Sequence, residues 1–150
     1  MPQSLSKVYV HITFSTKYRQ KLITDTIKLP LFEYIGGICK GLECNPVQVG
    51  GYRDHIHVLC TLSRKVTQMK LLEEIKKRSS LWIKSKGAEF NNFYWQDGYG
   101  IFSVNPAQVH IVERYIQNQE EHHKNKDYKR ELLYFLNKYK VDYNEQYLWD

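Results

Sequence analysis

The stretch from Asn45 to Leu62, NPVQVGGYRDHIHVLCTL, decides the fold. Residues 45–52 read as one strand, which runs through the Gly50-Gly51 turn into a second. In the second, Ile56, Val58, Cys60 and Leu62 alternate with His55, His57, Leu59 and Thr61. Side chains alternate faces along a strand, so His55 and His57 project together from the face opposite the apolar row.

Two strands joined without a helix form the middle of a longer pattern. Upstream, KVYVHITFS (7–15) sets Val8, Val10, Ile12 and Phe14 against Tyr9, His11, Thr13 and Ser15, a first strand. Residues 25–40 read as a helix capped by Thr24 or Asp25 and stopped by Gly41, with Pro30 predicted to delay or kink it. Downstream, residues 67–85 carry Leu71, Leu72, Ile75, Ser79 and Trp82 at helical spacing. YGIFSV (99–104) is a fourth strand. Asn105-Pro106 then opens a helix predicted to reach about His122, since Asn caps well and Pro is tolerated in the first turn. The tail, 128–150, holds another short helix, YKRELLYFLNKY. This order predicts an α+β, ferredoxin-like (RRM-like) βαββαβ sandwich with an additional C-terminal tyrosine-bearing helix and tail. In that architecture helices cover one sheet face and leave the other available. His55 and His57, with His11 and Tyr9 nearby, are expected on the open face.

A chain of 150 residues suits a single domain, 1–150, with an ordinary core. Its aromatic content of 14% argues against disorder, and its net charge of +6 favours a polyanionic partner. Cys39, Cys44 and Cys60 form no CxxC pair, so reduced thiols in a cytoplasmic protein are expected. MPQSLSKVYVHITF lacks the continuous apolar run of a signal peptide, and no segment approaches the ~18 apolar residues of a membrane helix.

Neutral imidazole is a common metal ligand, so the same-face histidines are either solvated or half of a metal site. The spacing alone leaves the other ligands unidentified. In NPAQVHIVERYIQNQEEHH (105–123), Val109, Val112 and Ile116 make a packing stripe. Ile111, Tyr115, Gln119 and His122 make an adjacent one, which sets Tyr115 and Gln119 one turn apart. Taken alone, that pair reads as a half-buried tyrosine beside a surface glutamine.

Together the two pieces resemble a known family. His55-Ile56-His57 looks like the HUH motif (His, bulky apolar, His), and RYIQNQEEHH resembles the tyrosine helix of the small single-tyrosine HUH transposases. These are the insertion-sequence enzymes that move as single-stranded DNA, with their relatives associated with repetitive extragenic palindromes (REP). VYVHITFSTKYRQ is similar to the family's opening strand, GYRDHIHVL to its metal strand and ELLYFLNKYKVDYNEQYLW to its tail. The resemblance implies Tyr115 as nucleophile and His55, His57 and Gln119 as ligands of one Mg²⁺ or Mn²⁺. It also implies a homodimer, a hairpin-bearing single-stranded DNA substrate and a 5′-phosphotyrosine intermediate.

The sequence names no base for the tyrosine. Lys17, Arg19, Lys21 and Arg53, and the face of Lys70, Lys77 and Lys84, are candidate phosphate contacts or ordinary solvated charges. Phe93, Tyr94, Trp95 and Tyr99 could stack on unpaired bases or cover the core. His122 and His123 read as solvent-facing residues at a helix C-terminus. Two other functions fit parts of the pattern. A two-histidine phosphoesterase accounts for His11-Ile12-Thr13 but not for His57 in the second motif. A non-catalytic nucleic-acid-binding module accounts for the charge but for neither HxH nor YxxxQ.

Overall fold

The computed structural model describes residues 2–150 and contains the strands β1 (Tyr9–Ser15), β2 (Pro46–Gly51), β3 (His55–Thr61) and β4 (Gly100–Val104). They form one antiparallel sheet in the order β2-β3-β1-β4. Helices α1 (Asp25–Gly41) and α2 (Gln68–Lys84) follow β1 and β3, giving the βαββαβ order. Val10, Ile12, Phe14, Ile56, Val58 and Cys60 pack against Leu31, Ile35, Leu71, Leu72 and Ile75 as the main core. The predicted apolar rows therefore meet the predicted helices. Val8 lies outside β1 and is exposed.

Pro30 does not interrupt α1. The N–H it lacks would have bonded the Thr26 carbonyl, and both residues lie at the surface, where water replaces that bond. Thr67 caps α2 by accepting from the Lys70 N–H.

The second sheet face is not open. Helices α3 (Val109–Gln117), α4 (Gln119–His122) and α5 (Tyr128–Lys138) cover it, and α6 (Glu145–Leu148) follows. On that face Leu59 and Val104 pack with Ile116, and Phe102 packs with Tyr128, Leu132, Phe135 and Leu136. The burial of Leu59, Phe102 and Val104 explains the cover, because three large apolar side chains on a sheet face are costly to leave in water.

The tyrosine helix also departs from expectation. Instead of running unbroken to His122, it is interrupted at Asn118, whose N–H is shared between the Arg114 and Tyr115 carbonyls. Helix α3 crosses β2 at Gly50, where a Cβ would lie 2.7 Å from Ile116 Cγ2 and 3.0 Å from its carbonyl oxygen. Only glycine permits that approach, which sets how deeply Tyr115 and Gln119 sit over the sheet. Among the described residues no helix is long and apolar enough to cross a membrane.

Candidate active site

Strand register brings the first pieces together. His57 lies opposite Thr13 and His55 opposite Ser15, on the face under α3–α5. Each ring is held through Nδ1. The His55 Nδ1–H donates to Asp54 Oδ1 at 2.7 Å, and His57 Nδ1 lies 2.8 Å from His11 Nε2. Such contacts fix which nitrogen an imidazole offers. Both Nε2 atoms therefore point inward, and both residues are fully buried.

A residue absent from the sequence reading stands at the centre. Glu131, on α5, is completely buried. Its Oε1 lies 2.7 Å from His57 Nε2 and 3.5 Å from His55 Nε2. Its Oε2 accepts the Tyr115 hydroxyl, the Gln119 Nε2–H at 3.3 Å and a contact from His123 Nε2 at 3.2 Å. Burial alone raises this carboxyl. The adjacent His57, hydrogen bonds from His123 and His57, and the nearby His55 outweigh burial and hold it below the usual carboxylate range.

Tyr115 stands on α3 with its hydroxyl in this cluster and its ring stacked on His122 at 4.4 Å. The nucleophile that the resemblance implies thus faces the HUH pair of its own chain. Burial, then the Glu131 charge and the hydrogen bond to it, push the phenol above the usual tyrosine range. Gln119, on α4, places Oε1 2.7 Å from His55 Nε2 and 3.0 Å from His123 Nε2. His123 is nearly buried and stacks on Tyr52 at 5.4 Å. The expectation of two solvent-facing histidines at 122 and 123 is therefore corrected for both. Their signal was spacing: His123 follows Gln119 by four residues, and His122 follows Tyr115 by seven.

The donor set fits a cation. His55, His57 and Glu131 each offer a ligand atom, all within 4.8 Å of one another. With its Nδ1 on Asp54, His55 turns Nε2 towards Gln119 Oε1 at 2.7 Å and Glu131 Oε1 at 3.5 Å. Imidazole nitrogens and side-chain oxygens converging this closely suit a divalent cation. His11 is drawn into support of His57, so it does not act as the independent histidine of a two-histidine phosphoesterase.

The buried imidazoles carry a pH signature. Burial, chiefly, lowers His11 from 6.5 to about 3, and burial also lowers His57. Below pH 6.5 the unfolded chain takes up protons that the native rings refuse. This stability is therefore complete above pH 6.5 and is lost as pH falls towards the native values, at up to about 1.4 kcal/mol per pH unit for His11, with His57 adding in the same direction. Urea unfolding of metal-free protein should show a falling midpoint from pH 7 to pH 5. A flat profile there contradicts the assignment.

The basic candidates divide by layer. Lys70, Lys77 and Lys84 lie on α2, across the sheet from the histidines, and Lys70 is paired with Glu74 at 3.0 Å. Lys17 lies 3.9 Å from Asp97, Arg19 donates to the Trp149 carbonyl at 3.2 Å, and Arg53 lies 4.0 Å from Asp25. Lys21 alone of the predicted set lines the cleft beside Asp54 and His123, joined there by Lys124, Lys126 and Arg130. Phe93 and Trp95 are core residues, whereas Tyr94 and Tyr99 are exposed.

Among solved structures, a candidate transposase from Deinococcus radiodurans R1 is 20% identical with a TM-score of 0.62, covering 79% of this chain and 98% of that one. A REP-associated tyrosine transposase bound to a REP hairpin is 16% identical with a TM-score of 0.60, covering 82% and 73%. At these identities the likeness establishes a shared fold. No curated protein matches. The family model for IS200-like transposases matches residues 4–119, from before β1 through Gln119, and the chain belongs to that family of DNA transposases.

Proposed function

We propose that this transposase nicks and rejoins hairpin-bearing single-stranded DNA through a 5′-phosphotyrosine at Tyr115. In this reading His55, His57 and Gln119 hold one Mg²⁺ or Mn²⁺. The observation that carries it is the convergence of the Tyr115 hydroxyl with both HUH Nε2 atoms around one buried point. The REP-hairpin-bound neighbour supports a hairpin ligand.

In the proposed step the Tyr115 oxygen bonds phosphorus and the P–O3′ bond breaks, leaving a free 3′-OH. The bond energy is retained in the phosphotyrosine for rejoining. A bound divalent cation supplies charge neutralisation at the phosphate oxygens. Asp54 and His11 orient the two imidazoles, and Glu131 holds the tyrosine hydroxyl. Tyr115 also lines a cleft with Val112, Tyr134, Phe135 and Lys138, a route by which a strand reaches the hydroxyl. Lys21, Lys124, Lys126 and Arg130 are placed to contact phosphates on the other side.

The test is incubation with Mn²⁺ and hairpin-bearing single strands or the matching perfect duplex, resolved on denaturing gels. Cleavage and a covalent adduct are expected on the single strand, with binding weakened by salt through counterion release. Equal cleavage of the duplex contradicts the substrate assignment.

We also propose a homodimer working in the cytoplasm. Supporting the dimer, among the described residues β4 pairs only with β1 and leaves an outer sheet edge. Light scattering should give about twice the chain mass of 18.0 kDa, and an active monomer contradicts the dimer. Cys39, Cys44 and Cys60 are free and buried, as suits a reducing compartment, and cell fractionation tests the location.

A further inference from the structure

We propose that Glu131 is a direct ligand of the cation held by His55 and His57, contributed by a helix beyond the segment that matches the family. The inference rests on the cation reading above and deepens it. The family match ends at residue 119, whereas Glu131 sits on α5 (Tyr128–Lys138). Two ligands at right angles around an ion at ~2.1 Å lie about 3.0 Å apart. Glu131 Oε1 brackets that value, at 2.7 Å from His57 Nε2 and 3.5 Å from His55 Nε2. Burying a carboxylate on the stripe of Tyr128, Leu132, Phe135 and Leu136 is costly, and its Oε1 is turned to the two nitrogens of the HUH pair.

The consequences differ from those of a site made by His55, His57 and Gln119 alone. Neutral ligands bind a hard cation weakly until DNA adds oxygens. A carboxylate brings a full negative charge, so the ion binds before DNA. Two imidazoles and one carboxylate suit Mn²⁺ and other first-row ions better than Mg²⁺. Oε2 remains free to keep the Tyr115 hydroxyl, so one side chain ties the nucleophile to the ion.

The test titrates Mn²⁺ into the full chain without DNA, with unbound Mn²⁺ read by electron paramagnetic resonance. Wild type should bind one ion, and Glu131→Gln, nearly the same shape without the charge, should bind about 100-fold more weakly or worse. Gln119→Ala should lose less. Wild-type affinity in Glu131→Gln overturns the Glu131 assignment and leaves the cation reading standing. A wild-type protein that takes up no Mn²⁺ overturns both. Should Glu131→Gln fail to fold, anomalous scattering from Mn²⁺-soaked wild-type crystals decides. An ion within about 2.3 Å of Oε1 supports the ligand, and an ion held only by the histidines and Gln119 overturns it.

Discussion

Tyr115→Phe is expected to bind DNA and fold normally while losing strand cleavage by on the order of 10⁴-fold or more, as removal of a covalent nucleophile does. The ring stays stacked on His122 and packed against Phe135. Only the hydroxyl is lost, and Glu131 Oε2 keeps its contacts with Gln119 and His123. The stability cost should therefore be about 1 kcal/mol, the net worth of one hydrogen bond. Denaturing gels and urea unfolding measure the two effects separately. A Tyr115→Phe protein that still cleaves in the presence of metal contradicts the tyrosine mechanism.

His57→Ala should cost both activity and stability. On the proposed reading His57 would hold the cation that neutralises phosphate charge, and its loss would remove several kcal/mol from the transition state, about 10³-fold or more in rate. The structure adds a folding cost. His57 Nε2 is the nearest donor to Glu131 Oε1, and its Nδ1 partners buried His11. Truncation leaves a buried carboxylate short of a donor, worth about 3 kcal/mol or more in urea unfolding. Adding Glu131→Gln should restore part of that loss, because the uncompensated charge is gone. Strict additivity of the two substitutions contradicts the coupling.

The strands that carry the candidate site were legible because alternation is a local property. Val10, Ile12 and Phe14, like Ile56, Val58 and Cys60, declare one buried face. Histidines on the other face then read as exposed. What alternation does not report is a third layer. Leu59, Phe102 and Val104 gave the hint on that face, yet Leu59 shares its side of β3 with His55, His57 and Thr61, and Phe102 and Val104 are only a pair on short β4. Glu131 was hidden for a related reason. A glutamate in a short, charged helix reads as solvated, and only its position among Tyr128, Leu132 and Phe135 marks it as inward-facing. The basic residues were the least legible. Lys70, Lys77 and Lys84 share a helix face by spacing, but spacing does not say on which side of the sheet that helix packs.

The central claim is that Tyr115 becomes covalently joined to DNA. Protein incubated with Mn²⁺ and a labelled hairpin-bearing strand, then digested and mapped by mass spectrometry, tests it directly. The account predicts a nucleotide on the peptide containing Tyr115 and a free 3′-OH on the released strand. A label on Tyr99 or Tyr128, or cleavage with no protein-bound product, would contradict it.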